Sequence, residues 1–78
     1  MLKDIVVSHD YRTARYYADQ FGMPHAHCLA RASQLRGYDS SWSFVYVNAD
    51  NGVPDTEVID ELKYLESMGA TVDWVGYP

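Results

Sequence analysis

Two groups of polar residues follow the two most apolar segments of the chain. Ser8-His9-Asp10 follows residues 5–7, and Asn48-Ala49-Asp50 follows residues 44–47. Short, continuous apolar segments are typical of strands buried on both faces of a parallel sheet. Open α/β folds bind their ligands at the carboxyl ends of such strands. We therefore expect a ligand crevice between these two polar groups.

Ser8, His9 and Asp10 are the residue types of a hydrolase triad, but consecutive residues cannot converge in the geometry that a triad requires. The simpler interpretation is a strand end followed by a helix cap. The alternative is that the start of the next helix, with Arg12 beside it, holds an anion. The candidate ligand-binding residues are Ser8, His9, Asp10, Arg12, Asn48 and Asp50. We expect no catalytic residues and no enzymatic activity.

His25, His27 and Cys28 resemble part of a metal site, but zinc takes four ligands at spacings that are absent here. In a strand, His25 and His27 share one face while Cys28 lies on the other. We therefore interpret Cys28 as a small buried apolar residue.

Carboxylates offer a second possible metal site. Asp10, Asp50 and Asp39 would bind Mg²⁺ if they converged at the carboxyl edge of the sheet, although solvated loop carboxylates are the simpler interpretation. We expect no metal and no other cofactor.

The elements that position these residues follow from apolar spacing and from turn residues. The spacing predicts strands over 3–8, 27–30, 43–48 and 71–75, helices over 11–21 and 55–68, and one helical turn over 33–36 capped by Ser33. The two most apolar strands belong at the centre, which gives the strand order 2-1-3-4. The predicted fold is one α/β domain over residues 1–78: a minimal three-layer sandwich with a mainly parallel four-stranded sheet and one helix on each face.

Charge and cysteine content limit the partners and the compartment. The 78 residues carry a net charge of −5, which disfavours nucleic acid, although Arg12, Arg15, Arg31 and Arg36 leave weak DNA binding open. A single cysteine excludes an internal disulfide. There is no apolar segment long enough to cross a membrane and no signal-peptide pattern. We expect a cytoplasmic protein without a membrane partner.

Aromatic residues are numerous, with seven Tyr and two Trp. Trp42, Trp74 and Tyr77 fall in a loop, in the predicted edge strand 71–75 and in the tail. Exposed aromatic side chains and the edges of sheets are both sites of association. These three residues are the candidate partner-binding residues, for a protein partner or for a second copy of the chain.

The segment 33–37 (Ser-Gln-Leu-Arg-Gly), followed by 44–50, resembles the part of P-loop helicases and phage terminases that leads into the Walker B strand. The phosphate-binding loop of those enzymes is missing, and Asn48 and Ala49 replace the acidic pair, so ATPase activity is not expected. The chain also resembles the small accessory α/β proteins with reduced Rossmann-like folds that actinobacterial phages encode. This resemblance implies a short phage protein that acts on a host or phage partner in the host cytoplasm, and it implies no catalytic residues.

Three functions remain open at this point. The first is a non-enzymatic interaction protein that uses an edge strand and its aromatic residues. The second is a module that binds a nucleotide or another small ligand in the crevice between strands 1 and 3. The third is a weak DNA-binding protein.

Overall fold

The computed structural model describes residues 4–48 and 56–76. The elements in chain order are β1 (Asp4–Val7), α1 (Tyr11–Gln20), β2 (His27–Leu29), α2 (Ala32–Leu35), β3 (Ser43–Val47), α3 (Thr56–Ser67) and β4 (Thr71–Val75). Every predicted element is present, with small shifts at the ends, and the small α/β fold is confirmed.

The four strands form one parallel sheet in the order β2-β1-β3-β4. The predicted strand order is therefore confirmed. Ile5 of β1 pairs with His27 of β2 and with Phe44 of β3. Asp73 of β4 pairs with Val45 of β3. Strands β1 and β3 lie at the centre, which explains why both of their faces are apolar.

The two faces of the sheet carry different helices. We call one the α3 face: on it, Ile5, Val7, Phe44 and Tyr46 pack with buried residues of α2 and α3. The other is the α1 face, on which Val6, Cys28 and Val47 pack with α1. The alternation of side chains along each strand produces this division. One face is thus covered by two helices and the other by one.

Helix α1 lies against β1 and β2. Its buried residues are Ala14 and Ala18, whose small side chains allow close packing. The helix ends at Gln20 with Phe21 as its C-cap, and Gly22 follows with a φ of 72°. The Met23 N–H then donates to the Ala18 carbonyl at 2.8 Å. This is a left-handed helix end of the kind that glycine favours, as predicted from the sequence.

The short helix α2 departs from the prediction at its start. Ser33 was expected to cap it, but Ser33 lies inside the helix and Arg31 occupies the N-cap position. The side chain of Gln34 replaces the expected cap, because its Oε1 accepts hydrogen bonds from the backbone N–H groups of Ala30 and Arg31 at 3.0 and 3.1 Å. A glutamine at this position is one half of a capping box.

In the described part of the chain, no helix combines the length and the apolar character that a membrane crossing requires.

Candidate functional site

Ser8 is the centre of the predicted crevice, and its polar groups are used within the fold. The residue is 1% exposed. Its Oγ donates a 2.9 Å hydrogen bond to the carbonyl of Val47, and its N–H donates to the carbonyl of Leu29 at 3.2 Å. Ser8 thus ties β1 to both neighbouring strands. A hydroxyl that donates to a backbone carbonyl is not activated as a nucleophile, because activation requires a base in that position.

Asp10 caps α1, as the simpler interpretation predicted. Its Oδ1 accepts a 2.7 Å hydrogen bond from the N–H of Thr13. This backbone bond is the main reason that the pKa of Asp10 lies below its ordinary value, and the neighbouring Arg12 guanidinium acts in the same direction. His9 Nε2 lies 3.2 Å from Asp10 Oδ2, and both side chains are about half exposed. The carboxylate therefore stabilises the helix start.

Asn48 lies at the carboxyl end of β3, where the crevice prediction placed it. Its backbone N–H donates to the carbonyl of Val75 at 2.9 Å, and its Nδ2 donates to the carbonyl of Gly76 at 3.2 Å. The side chain is thus directed toward the end of β4, on the side of β3 away from Ser8. Asp50 lies outside the described residues. The crevice stays a prediction, and the contacts of Ser8, Asp10 and Asn48 have structural explanations.

The proposed Mg²⁺ site cannot include both Asp39 and Asp10. Asp39 precedes β3 at the amino end of the sheet, whereas Asp10 follows β1 at the carboxyl end. Asp39 instead fits the simpler interpretation of a loop carboxylate, because it is exposed and accepts from the Ser41 N–H at 2.9 Å. No three His, Cys, Asp or Glu side chains in the described ranges 4–48 and 56–76 lie close enough together to hold a metal ion.

Cys28 is buried on the α1 face, while His27 is exposed on the opposite side of β2. Desolvation raises the pKa of the Cys28 thiol. A raised pKa keeps the sulfur protonated, which is the opposite of what a reactive cysteine needs. The interpretation of Cys28 as a small apolar residue is confirmed.

Trp42 belongs to an aromatic cluster at the amino end of the sheet. Its ring centroid lies 4.9 Å from that of Tyr38 and 5.3 Å from that of His27. The Tyr38 hydroxyl and His27 Nδ1 are 2.8 Å apart and share a hydrogen bond. The cluster packs against the core of the α3 face, so Trp42 is half-buried.

Trp74 lies on β4, at the other edge of the sheet. Its ring packs on Tyr46, with the centroids 5.7 Å apart. Because Trp42 contacts His27 of β2, at the opposite edge, the two tryptophans do not form one continuous surface. Tyr77, the third candidate, lies outside the described residues.

Among the described residues, an open apolar area lies elsewhere, on the α1 face beside β4 and the middle of β3. Helix α1 lies mainly over β1 and β2; Val47 at the end of β3 is buried in its cluster, whereas Val45 is half-buried and Asp73 and Val75 are exposed. An open groove of about 490 Å³ lies here, lined by Phe21, Met23, Val45, Asp73, Trp74 and Val75. We call it the β4 groove. Phe21 is 43% exposed and Val75 is 38% exposed.

Sequence reasoning missed Phe21, Met23 and Val45 as residues of an open groove, whereas Val75 lies in the edge strand 71–75 that it had named as a site of association. Phe21 follows the apolar spacing of α1 and was expected to be buried, but it lies at the helix end beside the open area of the α1 face. Val45 was expected to be buried because β3 is central. The sequence did predict that two helices cover the two faces of a four-stranded sheet incompletely, but not which strands stay uncovered.

Comparisons with protein-family models, with curated proteins and with solved structures found no match to this chain. The resemblance to helicase and phage proteins stays a prediction.

Proposed function

We propose that this protein acts by binding another protein, and that the binding surface consists of the β4 groove and the adjoining outer edge of β4. The observation that carries the proposal is the open area of the α1 face. An open apolar groove beside an edge strand offers both apolar area and backbone hydrogen-bonding groups to a partner. Trp74 borders the groove from β4, but its ring packs on Tyr46 on the α3 face, and its role in partner binding stays a prediction.

Charge supports a different protein as the partner, rather than a second copy. Each chain carries a net charge of −5. If two β4 strands paired about a twofold axis, their Asp73 side chains would approach each other, and like charges on paired strands repel. The same carboxylate makes the groove a poor site for nucleic acid, whose phosphates require cations.

The test is affinity capture from cells that naturally contain the protein. Wild type is compared with Val75→Asp, which places a charge in the groove, and with Tyr64→Asp. Tyr64 is 60% exposed on α3 and does not line the groove, so it is a matched control. Circular dichroism verifies that both variants remain folded.

We expect wild type and Tyr64→Asp to retain the same protein and Val75→Asp to lose it. The retained protein, identified by mass spectrometry and purified, then binds wild type and not Val75→Asp in a two-component titration. The proposal would be refuted if a partner bound wild type, Tyr64→Asp and Val75→Asp equally well. It would also be refuted if no captured protein bound wild type more strongly than Val75→Asp.

A further inference from the structure

The two faces of the sheet differ in how many helices they carry. Neighbouring strands lie about 4.8 Å apart and packed helices lie about 8–10 Å apart, so one helix covers about two strands. The α3 face carries α2 and α3 side by side. Among residues 4–48 and 56–76, the α1 face carries α1 alone. The space over β4 and the part of β3 around Val45 is therefore about one helix wide.

The length of β4, which borders this space, also suits a helix. Strand β4 has five residues, which span about 16 Å at 3.3 Å per residue. A helix of about 11 residues, or three turns, spans the same distance. Phe21 and Met23 lie along one side of the groove, where a helix beside α1 would pack against them.

Asp73 determines the chemistry of the occupant. Among the described residues that line the groove, it is the one that carries a charge. In the described part of the chain its carboxylate has no salt-bridge partner. A purely apolar helix would remove this carboxylate from water without compensation, which is costly. An arginine or lysine in the apolar stripe of the helix would pair with it.

We infer that the β4 groove binds an amphipathic α-helix of a partner protein, whose apolar face carries one arginine or lysine that pairs with Asp73. This inference rests on the proposed function, since it specifies the partner for the same surface. It adds the secondary structure and the charge of the segment that binds.

The experiment selects helices from a display library of amphipathic peptides of about 14 residues, or four turns, with the positions of the apolar face randomised. Wild type and Asp73→Lys are used as separate targets. Asp60→Lys is the matched control, because Asp60 is exposed on α3 and the charge change is the same. Binding of the enriched peptides is then measured by isothermal titration calorimetry.

Wild type is expected to enrich helices with arginine or lysine in the apolar stripe. Asp73→Lys should weaken their binding by about tenfold or more, and Asp60→Lys should leave it unchanged. Replacing the cation of the peptide by glutamate should restore binding to Asp73→Lys. The inference is overturned if the enriched helices show no preference for a cation, or if Asp73→Lys binds them as well as wild type does. It is also overturned if every enriched helix still binds Val75→Asp, because the helices would then bind outside the groove.

Failure of the inference and failure of the proposed function give different results with the natural partner. If Val75→Asp abolishes partner binding and Asp73→Lys does not, the proposed function holds and the inferred charge pair is wrong. If neither variant weakens partner binding, the proposed function itself is wrong.

Discussion

The hydroxyl of Ser8 and the carbonyl of Val47, 39 positions apart in the chain, form a buried hydrogen bond of 2.9 Å between the two central strands. Ser8 follows β1 at the point where regular strand pairing stops, so its side chain continues the connection that the backbone no longer makes. The polar residue that first suggested a ligand site therefore has a structural role that accounts for its burial.

Replacing Ser8 by alanine should lower the free energy of unfolding by about 1–2 kcal/mol, because the buried carbonyl of Val47 loses its donor. Urea unfolding followed by circular dichroism measures the change. Ser33→Ala is the control, since Ser33 is exposed within α2. If the two substitutions had equal effects, the hydrogen bond of Ser8 would contribute nothing to stability.

Asp10 should make the stability of the protein depend on pH in the acidic range. Its pKa is lowered in the folded state from 3.8, so the carboxylate stabilises the fold above that value. The stabilisation is lost as the pH falls through the lower folded pKa, where the cap becomes protonated. Thermal unfolding is measured from neutral to acidic pH. The melting temperature should fall less for Asp10→Asn than for wild type, because asparagine caps a helix without titrating. Parallel curves for the two proteins would contradict this assignment.

Arg15 should stabilise the connection between α1 and β2, which includes Met23 of the β4 groove. Its guanidinium donates to the carbonyls of Met23 and Ala26 at 3.3 Å and of Pro24 at 3.0 Å. Arg15→Ala should cost about 1–2 kcal/mol in unfolding free energy, since these are hydrogen bonds from a charged donor. Arg15→Lys should recover only part of it, because an ammonium group lacks the planar fork.

Arg12→Ala serves as the control for Arg15, since Arg12 is exposed on the same helix and the described residues include no hydrogen-bond acceptor for it. Chemical denaturation compares the three variants. Equal stability of Arg15→Ala and Arg12→Ala would show that the three carbonyl contacts do not hold the connection.

Cys28 should react slowly in the folded protein. Its pKa is raised from 9.0 by burial, and only the thiolate is a nucleophile. At pH 8 its reaction with a disulfide reagent should be slower by about tenfold or more than that of a free cysteine peptide. Urea should restore the rate of the peptide. A native rate equal to that of the peptide would show that the thiol is accessible.

Apolar patterns were sufficient to predict the order of the strands. The segments 5–7 and 44–47 are apolar on both faces, which is a requirement only for central strands, and the connections of a parallel sheet leave few alternatives. The caps of α1 were also predictable, because Asp10 and Gly22 act through contacts with their near neighbours in the chain.

The open area of the α1 face was harder to predict, because it depends on where a helix lies across the sheet. Ala14 and Ala18 indicate which side of α1 is buried, but not which strands it covers. Phe21 and Val45 have the same apolar character as core residues, and only the position of α1 leaves Phe21 exposed. The side-chain contacts of Ser8 and Asn48 also depend on distant parts of the chain, so their residue types alone suggested a ligand site.

The central claim is that a partner protein occupies the β4 groove, and site-specific photo-crosslinking tests it most directly. A benzophenone amino acid is placed at Phe21 in one version of the protein and at Tyr64 in another, and each is illuminated in cells that naturally contain the protein. We predict one discrete crosslinked product from position 21 and none from position 64. Crosslinking from position 64 alone, or the same products from both positions, would contradict the claim.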